Sequence, residues 1–439
     1  MASFARRILS FGAISIVQKL LGFLISVQIV AVLGASQFGV YAFILNVVNT
    51  VAMFVLFGFP QTLTRQIAVY LEWEQTDLVR GLLKFSSLAL AGTTLLSISV
   101  WLFGCQLYCA PDPTGATAKA GLILLPLVVL LGVQQAIMRG LDRVIDAVWP
   151  VMLLQPALFL GGLTWARSLH LHAQASEAMI WLILTNLVAA LALGLLFWRH
   201  HPLRGNERPR YAYGTWARSL LPFFLIGGMN LLLQRTDILV IGVFRAHTEV
   251  AQYAIASQLA MVLFLPVGIV NSSIEPRIAA AFSRKQNERL HKLYADCALW
   301  TTGVALLGLL ALGAFGKMML VNVFGPEFIS SYPAMLILAS GYAISVAFGS
   351  SGSFLSMAGH EKMTLTGTAT ATGLNIVLNL LLVPTFGLKG AAIATFLSMV
   401  TAKLINAAFL FRALHILPGP LWHLTDQGKR LQHPNKDLP

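Results

Sequence analysis

Charge is scarce in this sequence, and negative charge is scarcest. Only 11% of the 439 residues are charged, and Asp and Glu together number 17. A soluble domain carries about 25% charged residues, so this chain lacks the polar side chains that a water-facing surface needs. Hydrophobic residues make up 57% of it. These proportions exclude a soluble domain and predict that lipid is the solvent for most of the surface.

The motifs of several chemical classes are missing as well. The three cysteines have neither the spacing of a zinc site nor that of a disulfide framework. No GxxxxGK(S/T) loop occurs, which excludes nucleotide binding of the P-loop kind. No nucleophile stands in a pattern with a general base. We therefore predict no catalytic residue, no metal site and no enzyme activity.

Long apolar runs dominate the chain. A spanning helix needs about 20 mostly apolar residues, whereas the strands of a membrane barrel alternate with period two. The runs do not alternate, so they predict an all-α polytopic membrane protein with about twelve transmembrane helices. The predicted spans are 11–33, 38–60, 82–108, 120–138, 147–166, 178–198, 219–243, 250–272, 297–321, 333–356, 365–386 and 389–411.

The basic residues indicate how these spans are oriented. The net charge is +13, and most of the 30 Lys and Arg residues fall on alternate loops and on both tails. Positive loops stay on the cytoplasmic side, so the pattern predicts an N-in and C-in, multi-pass topology and needs no nucleic acid partner. Anionic lipid headgroups would be attracted to a loop such as the one carrying Arg208, Arg210 and Arg218. Solvated orientation charge is the simpler explanation of that loop.

The chain is predicted to be two copies of one six-helix plan. Met138-Arg139-Gly140-Leu141-Asp142-Arg143 resembles Met357-Ala358-Gly359-His360-Glu361-Lys362, and Tyr41-Ala42 matches Tyr253-Ala254. An even number of helices makes the copies parallel, and parallel lobes commonly enclose a cavity, which is typical of transporters. The predicted domains are an N-terminal lobe, a C-terminal lobe and a cytoplasmic tail, at 1–205, 206–412 and 413–439.

The charged residues that fall well inside the predicted spans, away from the span ends, are Lys19, Arg235, Asp237 and Lys403. Such groups are costly in hydrocarbon and persist mainly where they face a cavity or a partner. Arg235 and Asp237 are two residues apart on one helix, so they point to nearly opposite sides and are not expected to pair. The positive balance of the set favours an anionic substrate, particularly a diphosphate.

Polar residues repeat at helical spacing near these charges. Asn230, Gln234 and Asp237 follow an i, i+4, i+7 pattern, and Asn375 and Asn379 lie one turn apart. Both a cavity lining and helix packing explain such stripes. The predicted substrate-binding residues are Lys19, Asn230, Gln234, Arg235, Asn375, Asn379 and Lys403. Asp237 is the predicted ion-coupling residue, for a proton or sodium, and the alternative that it is a structural counter-ion of Lys19 or Lys403 stays open.

Motifs along the whole chain resemble those of O-antigen and polysaccharide flippases. Each motif is loose, and their order along the chain is what makes the resemblance specific. The motifs are Leu33-Gly34-Ala35-Ser36-Gln37-Phe38-Gly39-Val40-Tyr41, Arg139-Gly140-Leu141-Asp142-Arg143, Arg235-Thr236-Asp237-Ile238-Leu239-Val240-Ile241-Gly242, Val323-Phe324-Gly325-Pro326-Glu327-Phe328, Asn375-Ile376-Val377-Leu378-Asn379-Leu380-Leu381-Leu382-Val383-Pro384 and Gly387-Leu388-Lys389-Gly390-Ala391-Ala392.

This resemblance implies the multidrug/oligosaccharidyl-lipid/polysaccharide exporter superfamily, with two six-helix lobes in a MATE-like, V-shaped fold. It implies a Wzx-like activity, in which alternating access flips an undecaprenyl-diphosphate-linked oligosaccharide of O-antigen, capsule or exopolysaccharide across the bacterial inner membrane. The implied partners are that substrate, membrane lipid, a polymerase and other polysaccharide-assembly proteins. By position, the cationic cavity residues of the family correspond to Arg235 and Lys19.

Three other functions stay open. A multidrug or cation antiporter of the same fold would need acidic residues in the N-terminal cavity, and none lies in the middle of the first six spans. A peptidoglycan-precursor flippase would usually carry two further helices, for which the sequence after residue 411 is too short. A non-transporting scaffold of a polysaccharide assembly complex would need no cation at depth. No cofactor is expected beyond the coupling ion.

Overall fold

The computed structural model describes most of the chain as helix. Its described residues are 2–108, 113–169, 173–199, 208–264 and 287–414, together with Val267, Ile278 and Phe282. No β-strand occurs among them. The apolar composition and the helix lengths confirm the predicted all-α polytopic membrane protein. From residue 415 onward, the predicted tail lies outside the described residues.

The helices of these ranges are numbered here in chain order. Short π-helical segments at Pro150–Leu154 and Leu320–Phe324 and 3-10 segments at Val262–Phe264 and Pro326–Ser331 join or extend some of them. The α-helices are α1 (Ala2–Leu56), α2 (Phe59–Glu72), α3 (Thr76–Tyr108), α4 (Pro113–Gly140), α5 (Val144–Trp149), α6 (Gln155–Ser168), α7 (Ala175–Arg199), α8 (Tyr213–Phe244), α9 (His247–Met261), α10 (Asn287–Met319), α11 (Tyr332–Ala347), α12 (Ser351–Met357) and α13 (Glu361–Leu414).

Two of the helices are far longer than a bilayer is thick. Within the described ranges, nine helical stretches are long and apolar enough to cross a membrane. Among these, α1 covers the predicted span 11–33 and most of 38–60, and α13 covers 365–386 and 389–411. In each helix the two spans are separated by a glycine with positive φ: Gly34 with φ 69° and Gly387 with φ 55°. Glycine adopts such angles without a Cβ penalty, so each glycine ends one span and starts the next. The predicted span 250–272 is described continuously only as far as Phe264.

The chain divides into two compact units, Met1–Leu231 and Leu232–Pro439, which we call unit 1 and unit 2. The division falls inside α8. The first half of α8 packs within unit 1, where the Phe224 ring stacks on Phe57 with centroids 4.4 Å apart. The Trp216 indole, fully buried, donates a hydrogen bond to the Tyr70 hydroxyl at 2.9 Å. The predicted lobe boundary after residue 205 stays a prediction.

Helix α2 was not among the predicted spans. It is a 14-residue helix that follows the left-handed Gly58, and it buries the apolar residues Phe59, Leu63, Ile67 and Tyr70 on one face. Those residues are spaced by three or four, which is the signal of an amphipathic helix. The segment is too short and too polar to span a bilayer, and a search for long apolar runs therefore passes over it.

The turns that end α4 and α12 show how the two copies correspond. The backbone N–H of Arg143 donates to the Met138 carbonyl at 2.9 Å, and that of His360 donates to the Leu355 carbonyl at 2.8 Å. Both turns contain a residue with positive φ, Asp142 in one and Gly359 in the other. In these turns Met138 occupies the place of Leu355, two residues before the Met357 of the sequence match. The duplication itself stays a prediction.

Candidate functional site

A buried carboxylate lies at the centre of the polar contacts in unit 2. Asp237 is only 5% exposed. Its Oδ2 atom accepts hydrogen bonds from the Tyr253 hydroxyl at 2.5 Å and from the Thr395 hydroxyl at 2.6 Å. Its Oδ1 atom accepts the Asn379 amide at 2.8 Å and, at 3.4 Å, the Asn375 amide. Four uncharged donors thus surround one acidic group, and we call these five residues the Asp237 cluster.

Three helices bring the cluster together. Asp237 lies on α8 and Tyr253 on α9, while Asn375, Asn379 and Thr395 lie on α13. The two asparagines share one face of α13 because they are a helical turn apart. Gly387 interrupts α13 between them and Thr395, and its positive φ reverses the chain so that the second arm returns Thr395 to the same carboxylate.

Two amide oxygens of the cluster have no hydrogen-bond partner. The Oδ1 atoms of Asn375 and Asn379 are buried and accept no hydrogen bond from the described residues. Both side-chain nitrogens are used, since Asn375 also donates to Thr395 Oγ1 at 3.2 Å and Asn379 to the Asn375 carbonyl at 3.0 Å. A buried acceptor without a donor costs free energy. A half turn of a side-chain amide exchanges the positions of its oxygen and nitrogen. The amide oxygen of Asn375 or of Asn379 can therefore face the Asp237 carboxyl group.

The Asp237 carboxyl group contacts no basic side chain among the described residues. Among the described residues, no Lys or Arg forms an ion pair with Asp237, and its four contacts are the neutral donors given above. Burying a charged carboxylate without a counter-charge is costly, and hydrogen bonds offset part of that cost. The oxygen atoms of carboxylate, hydroxyl and amide groups are the ligands that hard cations prefer.

The neighbours of Asp237 on α8 have different surroundings. Arg235 is half-buried, and Gln234 is exposed, as is Asn230 in the part of α8 that belongs to unit 1. Asp237 itself is buried against α9 and α13. Asp237 is therefore buried, whereas Asn230 and Gln234, the other two residues of the predicted polar stripe, are exposed. Arg235 and Asp237 also have different environments on the same helix.

Lys403 lies at a break in a predicted span. The span 333–356 is interrupted between α11 and α12, where Gly349 has a φ of 62°. The Lys403 ammonium donates to the Gly349 carbonyl at 3.3 Å and lies 6.0 Å from the centroid of the Phe264 ring. The Tyr294 hydroxyl donates to the adjacent carbonyl of Phe348. Lys403 thus satisfies a carbonyl that the break frees from its helix.

Lys19 lies in unit 1, on the first arm of α1, and its side chain is exposed. Near it, Gly22 has open space where a Cβ would be, and its carbonyl accepts the Ser26 hydroxyl at 2.9 Å. Of the predicted site residues, the structure therefore brings together Asp237, Asn375 and Asn379 in unit 2. It places Lys403 and Lys19 elsewhere in their own units.

Two members of the cluster were not predicted as site residues. Tyr253 was noted as a repeat match, and Thr395 was not singled out. Neither carries a strong signal, because a tyrosine and a threonine are ordinary residues in membrane helices. The feature that could have indicated Thr395 is the link at Gly387. Because α13 folds back there, polar residues before and after the link can approach the same neighbouring helix.

Comparison with known proteins gives the family. The family model described as "Polysaccharide biosynthesis protein" matches residues 4–282, which is more than half of the chain. The probable low-salt glycan biosynthesis flippase Agl15 of Haloferax volcanii is 24% identical over 238 residues, which cover 54% of this chain and 49% of that protein. The probable flippase AglR of the same organism is 28% identical over 193 residues, 42% of this chain and 39% of that protein. These matches span about half or less of each relative.

Solved structures show the fold. An inward-facing MATE multidrug resistance transporter of the MOP superfamily superposes with a TM-score of 0.72 at 16% identity, covering 90% of this chain and 94% of that one. The lipid II flippase MurJ in an inward closed conformation gives a TM-score of 0.67 at 15% identity, with 92% and 87% covered. The chain therefore has the fold of these transporters, and by its match over residues 4–282 it belongs to the polysaccharide biosynthesis protein family.

Proposed function

We propose that this protein is a flippase that carries a lipid-linked oligosaccharide across a membrane, and that it is not an enzyme. The family match and the two relatives named as probable flippases support this class of activity. The substrate we propose is an undecaprenyl-diphosphate-linked repeat unit, moved across the bacterial inner membrane by a chain with both termini in the cytoplasm. A polymerase and other assembly proteins would then use the flipped product.

The main observation in support of the proposal is that a basic and an acidic side chain lie two residues apart on one helix, in different surroundings. Arg235 is a half-buried cation on α8, and two residues later Asp237 is a buried carboxyl group that accepts hydrogen bonds from neutral donors. A guanidinium in a site of low dielectric binds phosphate oxygens with charge-assisted hydrogen bonds. We assign Arg235 to the diphosphate of the substrate. Arg235 and Asp237 thus serve different ligands because they face different surroundings.

Asp237 is proposed to couple flipping to a proton or a sodium ion. The fit rests on the two buried amide oxygens of Asn375 and Asn379, which have no donor among the described residues. Together with Asp237 and the Thr395 hydroxyl, they form an oxygen-rich donor set with one formal negative charge. Such a set suits a monovalent cation, whose charge would neutralise the carboxylate. A proton on Asp237 would neutralise it in the same way.

The substrate role is tested by complementation. A cell that lacks its own flippase is given the wild-type chain, Arg235→Ala or, as a control, Arg412→Ala, which removes an exposed arginine of unit 2. Surface polymer is measured along with the amount of inserted protein. We expect export with the wild type and the control and none with Arg235→Ala. Normal export from Arg235→Ala would contradict the role of Arg235 in binding the substrate. No export with the wild type would leave either a scaffold or a transporter of another substrate class.

The coupling role needs purified protein in liposomes. Flipping of a fluorescent lipid-linked oligosaccharide is followed under a sodium gradient, a proton gradient or neither. Asp237→Asn should give a rate that no longer depends on either gradient, because an amide neither binds the proton nor carries the charge. The control is Asp142→Asn, which neutralises an exposed carboxylate, and asparagine tolerates the positive φ of that position. An unchanged ion response in Asp237→Asn contradicts the coupling role alone.

A further inference from the structure

Exposed basic and aromatic residues lie in unit 1 near the starts of α3 and α8. They are Lys84 on α3 and, before and on α8, Arg208, Arg210, Tyr211, Tyr213 and Arg218. We call this set the basic ledge. We propose that the basic ledge binds the phosphodiester headgroup of an anionic phospholipid, and this inference does not depend on the transported substrate.

The backbone of the ledge is fixed to α3. The Arg210 backbone N–H donates to the Asp77 carbonyl at 3.0 Å. The Arg210 carbonyl lies so close to Gly81 that a Cβ added to that glycine would be 1.8 Å from the oxygen. A side chain at position 81 would therefore displace the segment. The described residues just before α8 are therefore held against α3 at Arg210.

Aromatic rings support the ledge from beneath. Trp216 is fully buried and its indole is 5.4 Å from the Phe85 ring, centroid to centroid. Tyr213 packs edge-on against Phe85 at 5.4 Å, and Tyr211 stacks on Tyr213 at 5.3 Å with an interplanar angle of 5°. Both tyrosines remain exposed, at 43% and 54%. Exposed tyrosines at the ends of spans are typical of the headgroup level of a membrane.

The positive charge of the ledge is available to a ligand. Lys84, Arg208, Arg210 and Arg218 are all exposed, and within the described part of unit 1 none of them forms an ion pair. The nearby Asp77 accepts a hydrogen bond at 2.8 Å from the Leu78 backbone N–H on its own helix. Basic residues beside a membrane attract anionic lipid. Charges that served only to orient the chain in the membrane would need neither a fixed backbone nor stacked tyrosines.

The test measures phospholipid bound to the intact purified chain by native mass spectrometry, with phosphatidylglycerol and phosphatidylcholine titrated separately. The ledge variant is Arg208→Gln with Arg210→Gln. The control is Arg143→Gln with Lys362→Gln, which removes the same charge from exposed residues that are not part of the ledge. We expect the wild type to prefer phosphatidylglycerol and the ledge variant to bind it roughly twenty-fold more weakly. The control should bind like the wild type.

A second variant separates a built site from charge alone. Tyr211→Leu with Tyr213→Leu keeps every charge and should still weaken phosphatidylglycerol binding, with an unchanged melting temperature as evidence of folding. Equal losses in the ledge and control variants would overturn the proposal in favour of solvated orientation charge. Equal binding of the two lipids by the wild type would overturn it as well. So would unchanged lipid binding in the ledge variant, which would leave an acidic protein surface as the partner to consider.

Discussion

The Tyr253 hydroxyl donates a 2.5 Å hydrogen bond to Asp237 Oδ2, and this contact joins α8 to α9 inside unit 2. Both residues are buried. Tyr41, which matches Tyr253 in the predicted repeat, is buried too, but it stacks on Phe159 at 6.3 Å and contacts no carboxylate of the described residues. The two tyrosines of the predicted repeat therefore have a polar role in unit 2 and an apolar role in unit 1.

This pair supplies a matched experiment. Tyr253→Phe removes one of the two donors to Asp237 Oδ2, so we expect the free energy of unfolding to fall by about 0.5–3 kcal/mol, which covers hydrogen bonds to neutral and to charged groups. Tyr41→Phe changes the same atoms without breaking a described hydrogen bond and should stay within about 0.5 kcal/mol of the wild type. Unfolding in detergent measures both. Equal effects of the two substitutions would show that the contact contributes nothing specific.

Asn379 is expected to report ion binding. Asn379→Leu keeps the size of the side chain but removes both the donor to Asp237 and the partnerless amide oxygen. If the cluster holds the coupling ion, the stabilisation that the ion gives to the wild type should weaken, by about 1.4 kcal/mol for a tenfold loss of affinity. The measurement is the melting temperature as sodium replaces choline, repeated across pH.

The control for this experiment is Asn186→Leu. Asn186 is a buried asparagine of unit 1 whose amide donates to the Leu182 carbonyl at 2.7 Å, away from any described carboxylate. Its substitution should shift the melting temperature without altering the ion response. An ion response that survives intact in Asn379→Leu would remove this amide from the coupling site.

The helices were predictable because lipid imposes one simple requirement. A segment must be apolar over about 20 residues to span the bilayer, and that pattern is legible in the sequence. The break at Gly34 falls in the predicted link between the first two spans, and the break at Gly387 falls in the link between the last two. Helix α2 was not predicted because its apolar residues lie on one face of a short helix and do not form a long apolar run.

The site was only partly predictable, because contacts between helices depend on rotation and depth. The sequence indicated Asp237 and the asparagines through their rarity and spacing. It could not indicate that Thr395 returns to the same carboxylate, since that depends on the angle of the chain at Gly387. For the same reason it could not show that Asp237 turns away from the exposed Gln234, one turn earlier on α8.

The close approach of the two arms of α13 gives a further prediction. A Cβ added to Gly390 would lie 2.3 Å from the Leu382 carbonyl oxygen, which is backbone and cannot move aside alone. Gly390→Ala should therefore destabilise unit 2 by about 1–3 kcal/mol and weaken the ion response by displacing Thr395. Gly373→Ala is the control, since that glycine of the first arm has open space around it. A melting temperature unchanged in Gly390→Ala would contradict the need for this crossing.

The last prediction concerns Lys403. Its ammonium either binds the substrate or caps the break between α11 and α12, and substitutions distinguish these two roles. The described contacts of its ammonium are the Gly349 carbonyl and the Phe264 ring. Lys403→Met keeps the apolar stem and loses the donor, so the freed carbonyl should cost about 1–3 kcal/mol of stability. Lys403→Arg should recover part of that loss. The exposed Lys389 on the same helix, changed to Met, should have little effect.

Hydrogen exchange locates the effect of this substitution. If Lys403 caps the break between α11 and α12, exchange in Lys403→Met should rise around residues 346–354 while flipping of substrate persists at a reduced rate. A residue that binds the diphosphate directly would behave in the opposite way, with unchanged exchange and a large rise in KM for the lipid-linked substrate. The geometry favours the first outcome. To bind a phosphate, the Lys403 ammonium would have to give up its hydrogen bond to the Gly349 carbonyl, and leaving that buried carbonyl without a donor costs free energy.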